Sequence, residues 1–239
     1  MTDATARRAV PVSQVHLQGG LWGARQAVNR LVSLPVEYER CKETGRSAVF
    51  DLNWHAGMSY RPHPFYDSDV AKWIEASAYA LATNPDQRLE ARVDEMIERI
   101  AGAQQPDGYL NTYFTILARD QRWTNLRDMH ELYCAGHLIE AAVAYYEATG
   151  NTRLLDVMRR YADHIAAAFG PSERQKHGSP GHEEIELALV RLYHATGESR
   201  YLDLARYFVD ERGRQPHYFD AEALERGEDP GAAHYGHDH

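Results

Sequence analysis

Residues 140–163 read EAAVAYYEATGNTRLLDVMRRYAD, and residues 187–210 read LALVRLYHATGESRYLDLARYFVD. Laid over one another at an offset of 47 residues, they agree at Ala188, Val190, Tyr193, Ala195, Thr196, Gly197, Arg200, Leu202, Asp203, Arg206 and Asp210. Self-similarity at such a period marks a repeated supersecondary unit. In each copy one helix ends at ATG and a second begins a few residues later, with the glycine as the left-handed C-cap of a tight helical hairpin. A weaker third copy, YALATNPDQRLEARVDEMI at 79–97, ends its first helix at ATN, with asparagine in the glycine's place.

The two helices of a hairpin differ in their faces. From Asp128 to Thr149 apolar or small residues cover nearly the whole circumference, through Leu132, Cys134, Ile139, Ala141, Ala142, Val143 and Tyr145, which predicts a helix buried all round. From Thr152 to Ile165 one stripe runs through Leu154, Leu155, Met158, Tyr161 and Ile165, with Arg and Asp elsewhere, which predicts an outer helix. Upstream, an Asp/Ser start at Asp67 opens a helix to Thr83, with Val70, Trp73, Ile74, Ser77, Ala78 and Leu81 at helical spacing. Pro85 opens the next, striped by Leu89, Val93, Met96, Ile97 and Ile100. After the turn residues Pro106, Asp107 and Gly108, the aromatic GYLNTYF reads as a loop or short strand. Buried inner helices paired with one-sided outer helices make an all-α protein, either a solenoid or a closed α/α toroid. Tetratricopeptide and ankyrin units are shorter, and long irregular units with aromatic loops suit the toroid; a solenoid built for protein binding stays as the alternative.

The formal net charge is −9 and the pI about 5.8, so no basic field is present to recruit nucleic acid or an anionic membrane. No run reaches the length of a membrane span, and the opening MTDATARRAVPVSQ lacks the apolar stretch of a signal peptide, which predicts a cytoplasmic protein. Cys41 and Cys134 form no CxxC pair, read as reduced structural thiols, and cannot assemble a four-cysteine zinc site. Fifteen tyrosines and four tryptophans suit a carbohydrate-facing surface as well as a core.

Chemistry concentrates in HELYCAGH, residues 130–137. His130, Cys134, His137 and Ala141 fall at i, i+4, i+7 and i+11, so one helical face could hold metal ligands, a polar pocket wall or satisfied core residues. The arrangement is not HExxH, and a buried thiol would be inert. In SPGHEEIELALVRLY, Ser179 reads as an N-cap, Pro180 as the first helical residue, and His182 and Glu186 as i, i+4 neighbours. Inner helices of a toroid present one end to a common opening, so His130 and His182 should converge there, unless His182 is an exposed first-turn residue. Asp67, Asp69, Glu131, Glu183, Glu184 and Glu186 lie near helix starts, where the helix dipole favours acids, and no glycosidase carboxylate pair stands out among them. The tail HYGHDH, 234–239, follows Pro216, Gly227, Pro230 and Gly231 in a loop and reads as the point where a longer protein is cut.

The succession TGRSAVFD, DSDVAKWIEA, QQPDGYLNTYF, HELYCAGHLIEAAVAYYEATG and GHEEIELALVRLYHATGESRYLDLARYFVDERG resembles the N-terminal half of the catalytic domain of glycoside hydrolase family 127, the bacterial β-L-arabinofuranosidases. The resemblance implies an (α/α)6 toroid with a pocket for a terminal furanoside and retention of anomeric configuration. It implies a cysteine thiolate nucleophile held on zinc by three cysteines and a glutamate, and a separate glutamate as general acid/base. It places His130 and His182 on the wall of the sugar pocket as hydrogen-bonding partners of hydroxyls, and Tyr109 of QQPDGYLNTYF joins them as a substrate-binding candidate. Cys41 and Cys134 match neither cysteine motif of the family. Residues 1–239 are therefore expected to form the N-terminal portion of one catalytic domain, stopping before the zinc and nucleophile motifs. No catalytic residue, metal ligand or bound zinc is expected in this chain itself. About four hairpins of six would leave apolar faces open, giving poor solubility or a partner that closes the ring. A sugar epimerase or unsaturated-uronide hydrolase on the same toroid, and a non-catalytic helical-repeat binding module, are the rival readings.

Overall fold

A computed structural model describes residues 10–230; the tail HYGHDH and the first residues of the opening segment lie outside them. Helix α1 (Gly20–Val28) runs through a π-turn at Asn29–Ser33 into α2 (Leu34–Glu43). Three hairpins follow, with short helical pieces between them: α3 (Tyr66–Thr83) and α4 (Gln87–Ala103), then α5 (Thr112–Leu117), then α6 (Glu131–Thr149) and α7 (Arg153–Ala168), then α8 (Ile185–Thr196) and α9 (Ser199–Arg212), with α10 (Tyr218–Glu225) last. The fold is all-α: among the described residues there is no strand, only an isolated bridge between Phe169 and Lys176.

Helices α3, α6 and α8 pack side by side as the inner layer, and α4, α7 and α9 pair with them as the outer layer. The sequence pattern explains the layering. Helix α6 buries residues on every side, including Leu132, Cys134, Ile139, Ala142 and Tyr145, whereas α7 buries only the stripe of Leu154, Leu155, Met158, Tyr161 and Ile165 with its close neighbours. Gly150 (φ 76°) and Gly197 (φ 74°) close the second and third hairpins in the left-handed conformation, as the repeat predicts. Large apolar side chains stand exposed mainly along residues 10–36, with Leu21, Trp22 and Leu31 among them.

Local chemistry shifts several boundaries. Asn84 is extended (φ −143°) instead of left-handed, and Asp86, not Pro85, starts α4, because its carboxylate accepts from the Arg88 and Leu89 amides. GYLNTYF contains helix α5 where a loop or strand is predicted: Asn111 Oδ1 caps it through the Phe114 amide, and buried Asp67 accepts from both the amide and the hydroxyl of Thr112. Helix α8 starts at Ile185, not Pro180, since the Gly181 amide is committed to the Leu126 carbonyl at 3.1 Å and Ser179 is buried without capping anything. Helix α6 starts at Glu131, preceded by His130 in the left-handed conformation at φ 58°. No helix of the described residues is long and apolar enough to cross a membrane.

Candidate functional site

The three inner helices begin on the same side of the layer, and a histidine stands just ahead of each start: His63 before Tyr66, His130 before Glu131, His182 before Ile185. The structure brings these loops together around Tyr133, on the first turn of α6. Its ring centroid lies 5.7 Å from that of His130, 4.9 Å from His182 and 4.4 Å from His137, all edge to face. Phe65 closes the other side, 5.0 Å from His130, and the His130 and His182 rings are 6.4 Å apart. Lys72, one turn and a half into α3, donates to the Tyr133 hydroxyl at 2.8 Å. Beside this cluster a cleft of about 490 Å³ is lined by Arg46, His63, Phe65, Tyr66, Lys72 and Tyr133.

Each of the two site histidines turns its Nδ1 to a backbone carbonyl. His130 Nδ1 lies 2.6 Å from the Asp128 carbonyl and His182 Nδ1 lies 3.1 Å from the Glu183 carbonyl. A carbonyl can only accept, so each Nδ1 carries a proton, and Nε2 is the ring nitrogen left for a ligand. Ring nitrogens flanked by aromatic side chains suit a polyhydroxylated ligand, whose hydroxyls bond to the nitrogens while its C–H faces lie on the rings.

Deeper in, His137 Nδ1 stands 3.1 Å from Glu184 Oε1, out of line for a hydrogen bond. Burial first, then the positive charge of Lys72 and His182, pushes His137 down to about 4. Burial first, then the carboxylates of Glu140 and Glu75, pushes Glu184 up to about 7. The pair thus holds neutral imidazole beside a carboxyl that titrates near neutrality.

The shared face inferred for HELYCAGH does not survive. His130 is off the helix, and Cys134 points into the core, where its thiol donates to the Pro64 carbonyl at 3.1 Å and burial raises it well above a reactive range. Cys41 is likewise buried and pushed up to about 11 by that burial. Tyr109 is also placed differently from a pocket wall. It is fully buried beneath Trp123, Tyr161 and His164, and its hydroxyl donates to Glu131 Oε1 at 2.5 Å. Glu131 answers no helix dipole at the surface: wholly buried, it also accepts from the Trp123 amide at 2.7 Å and is pushed up to about 7 by burial. Sequence reasoning missed His63, Phe65, Lys72 and Tyr133. A histidine three residues ahead of α3, matching the placement of His182 ahead of α8, was the available signal for the first; the others needed the packing.

Residues 14–239 match the family model for the beta-L-arabinofuranosidase GH127 catalytic domain, and the chain belongs to that family. It is 50% identical over 159 residues to a non-reducing end beta-L-arabinofuranosidase of Bifidobacterium longum subsp. longum, an alignment covering 65% of this chain and 24% of that protein. The crystal structure of a GH127 beta-L-arabinofuranosidase from Geobacillus stearothermophilus T6 superimposes with a TM-score of 0.85 at 48% identity, over 90% of this chain and 35% of that one. A second GH127 beta-arabinofuranosidase structure gives 0.80 at 39% identity, over 89% and 36%. The chain therefore spans about a quarter of the length of the curated relative and just over a third of the solved ones. Fold and family together make it glycosidase-like and do not favour the epimerase, uronide hydrolase or binding-module readings.

Proposed function

We propose that this chain supplies one wall of the sugar pocket of a retaining β-L-arabinofuranosidase, as the first part of a toroidal catalytic domain. The observation that carries the reading is the convergence of His130 and His182, 6.4 Å apart around Tyr133, at the starts of two neighbouring inner helices. Their Nε2 atoms would accept from hydroxyls of a terminal furanose, with Phe65 and Tyr133 against its carbon face. The relatives' activity on β-L-arabinofuranosides supports that substrate class. A cytoplasmic site of action belongs to the same reading, supported by two cysteines that are buried and unpaired.

The zinc that the family resemblance implies does not fit the residues described. No group of three His, Cys, Asp or Glu side chains among them is arranged to hold a metal, and both thiols are buried and held protonated by that burial. What these residues would do is bind and orient: two histidine ring nitrogens, a tyrosine hydroxyl fixed by Lys72, and a carboxyl at Glu184 able to hold or release a proton near neutrality.

Hydrolysis of p-nitrophenyl β-L-arabinofuranoside by the protein at its full natural length tests the reading. Turnover that falls on replacing His130 or His182 by alanine supports it; a product that is an isomer by NMR, or no turnover at all, overturns it.

A further inference from the structure

The histidines of the site ride on two irregular loops, residues 122–130 ahead of α6 and 177–184 ahead of α8. One peptide group joins them. The Leu126 carbonyl accepts from the Gly181 amide at 3.1 Å, and the loops are so close there that a Cβ on Gly181 would lie 2.0 Å from the Arg127 carbonyl oxygen. The Leu126 amide donates to Glu222 Oε1 at 2.6 Å, and the Arg127 amide reaches Oε2 at 3.4 Å. Glu222 sits on α10, is 1% exposed, and also accepts from the Tyr218 hydroxyl at 3.1 Å and from Arg226 Nη1 at 3.0 Å.

Four donors thus converge on one buried carboxylate, and charge-assisted bonds of this kind are strong and geometrically exacting. The line of bonds from Glu222 through the Leu126 peptide ends at Gly181, the residue before His182. The other branch of the loop leads to His130: Asn125 Oδ1 accepts from the Asp128 amide at 2.9 Å, and the Asp128 carbonyl accepts a hydrogen bond from His130 Nδ1. His130 itself is left-handed at φ 58°, a conformation uncommon for residues other than glycine.

We propose that Glu222 is a positioning residue of the sugar site, fixing the separation of His130 and His182 through the Leu126 peptide without touching substrate. The proposal rests on reading the two histidines as sugar ligands. Glu222→Gln keeps the shape but turns one acceptor oxygen into an NH2 that must face a donor. In the protein at its full natural length, the variant is expected to raise KM for p-nitrophenyl β-L-arabinofuranoside about tenfold with kcat within about twofold, the signature of lost binding geometry. Hydrogen-exchange mass spectrometry on the same variant should show faster exchange in both 122–130 and 177–184, with the peptides of α4 and α7 unchanged. A role in stability alone would lower the active fraction and leave KM where it was. Unchanged KM in an active variant, or faster exchange confined to 122–130, overturns the proposal. If Glu222→Gln does not accumulate folded, Tyr218→Phe removes one hydroxyl from the same carboxylate and should move the same two readouts by less. Failure of the arabinofuranosidase reading is separate, showing as wild-type protein without turnover; the exchange of 177–184 then still decides whether Glu222 ties the loops.

Discussion

His137 Nδ1 and Glu184 Oε1 face each other 3.1 Å apart, one from the second turn of α6 and the other from the residue that precedes α8. Burial pushes the two groups in opposite directions, His137 down to about 4 and Glu184 up to about 7, so each disfavours its own charge. A carboxyl raised in the folded state contributes no penalty below its unfolded value near 4.5 and destabilises progressively as pH rises through about 7. Glu184→Gln should therefore match wild type in Tm below pH 4.5 and gain on it steadily towards pH 7, a difference thermal melts at several pH values will show. The imidazole works the other way. His137 loses stability for the protein as pH falls from 6.5 towards 4, so His137→Asn should gain on wild type over that range.

His182→Ala should act on binding and not on folding. The side chain is exposed, and its one backbone partner, the Glu183 carbonyl, can be satisfied by water. Loss of a hydrogen bond to a sugar hydroxyl is worth roughly 1–2 kcal/mol, or about a tenfold fall in kcat/KM, with Tm unmoved. A Tm drop of many degrees with kcat/KM per folded molecule unchanged would refute the assignment.

Tyr109→Phe should do the reverse. Its hydroxyl is the side-chain donor to the buried Glu131 carboxylate, so the variant leaves an acceptor oxygen short of a partner at a cost of roughly 1–3 kcal/mol. Denaturant unfolding should show that loss with KM little changed, because the hydroxyl lies wholly inside the core.

Gly136→Ala tests the contact between the second and third inner helices. A Cβ there would meet Glu184 Cγ at 2.6 Å and the Ile185 amide nitrogen at 3.0 Å, so α8 has to move away. Overpacking of this kind costs about 1–3 kcal/mol. Since the start of α8 carries the His182 loop, the variant should lose both stability and sugar affinity, measured by melts and by KM.

Neither cysteine should react with a thiol reagent in the native protein. Burial holds both thiols protonated, Cys41 at about 11, and Cys134 is further engaged with the Pro64 carbonyl. Iodoacetamide labelling followed by peptide mapping should give no adduct at Cys41 or Cys134 before denaturation and one at each after it.

What the sequence determined by itself was the hairpin architecture. The 47-residue repeat, the glycines at 150 and 197, the all-round burial of α6 and the single stripe of α7 are local patterns, and each reports directly on which face of a helix meets the core. The same local reasoning placed His130 and His182 at corresponding ends. Tertiary structure decided the rest, because it depends on partners far away in the chain. Asn111 and Asp67 turn an aromatic stretch into α5, and Leu126 pulls Gly181 out of a helix that Pro180 and the following acids would otherwise favour. Tyr109 goes to the core because Glu131, 22 residues on, needs its hydroxyl. Glu222 reaches the His130 loop across 96 residues. A hydrogen bond between such distant positions leaves no periodic mark on the sequence, and a buried polar group reveals its role only when the partner that satisfies it is in place.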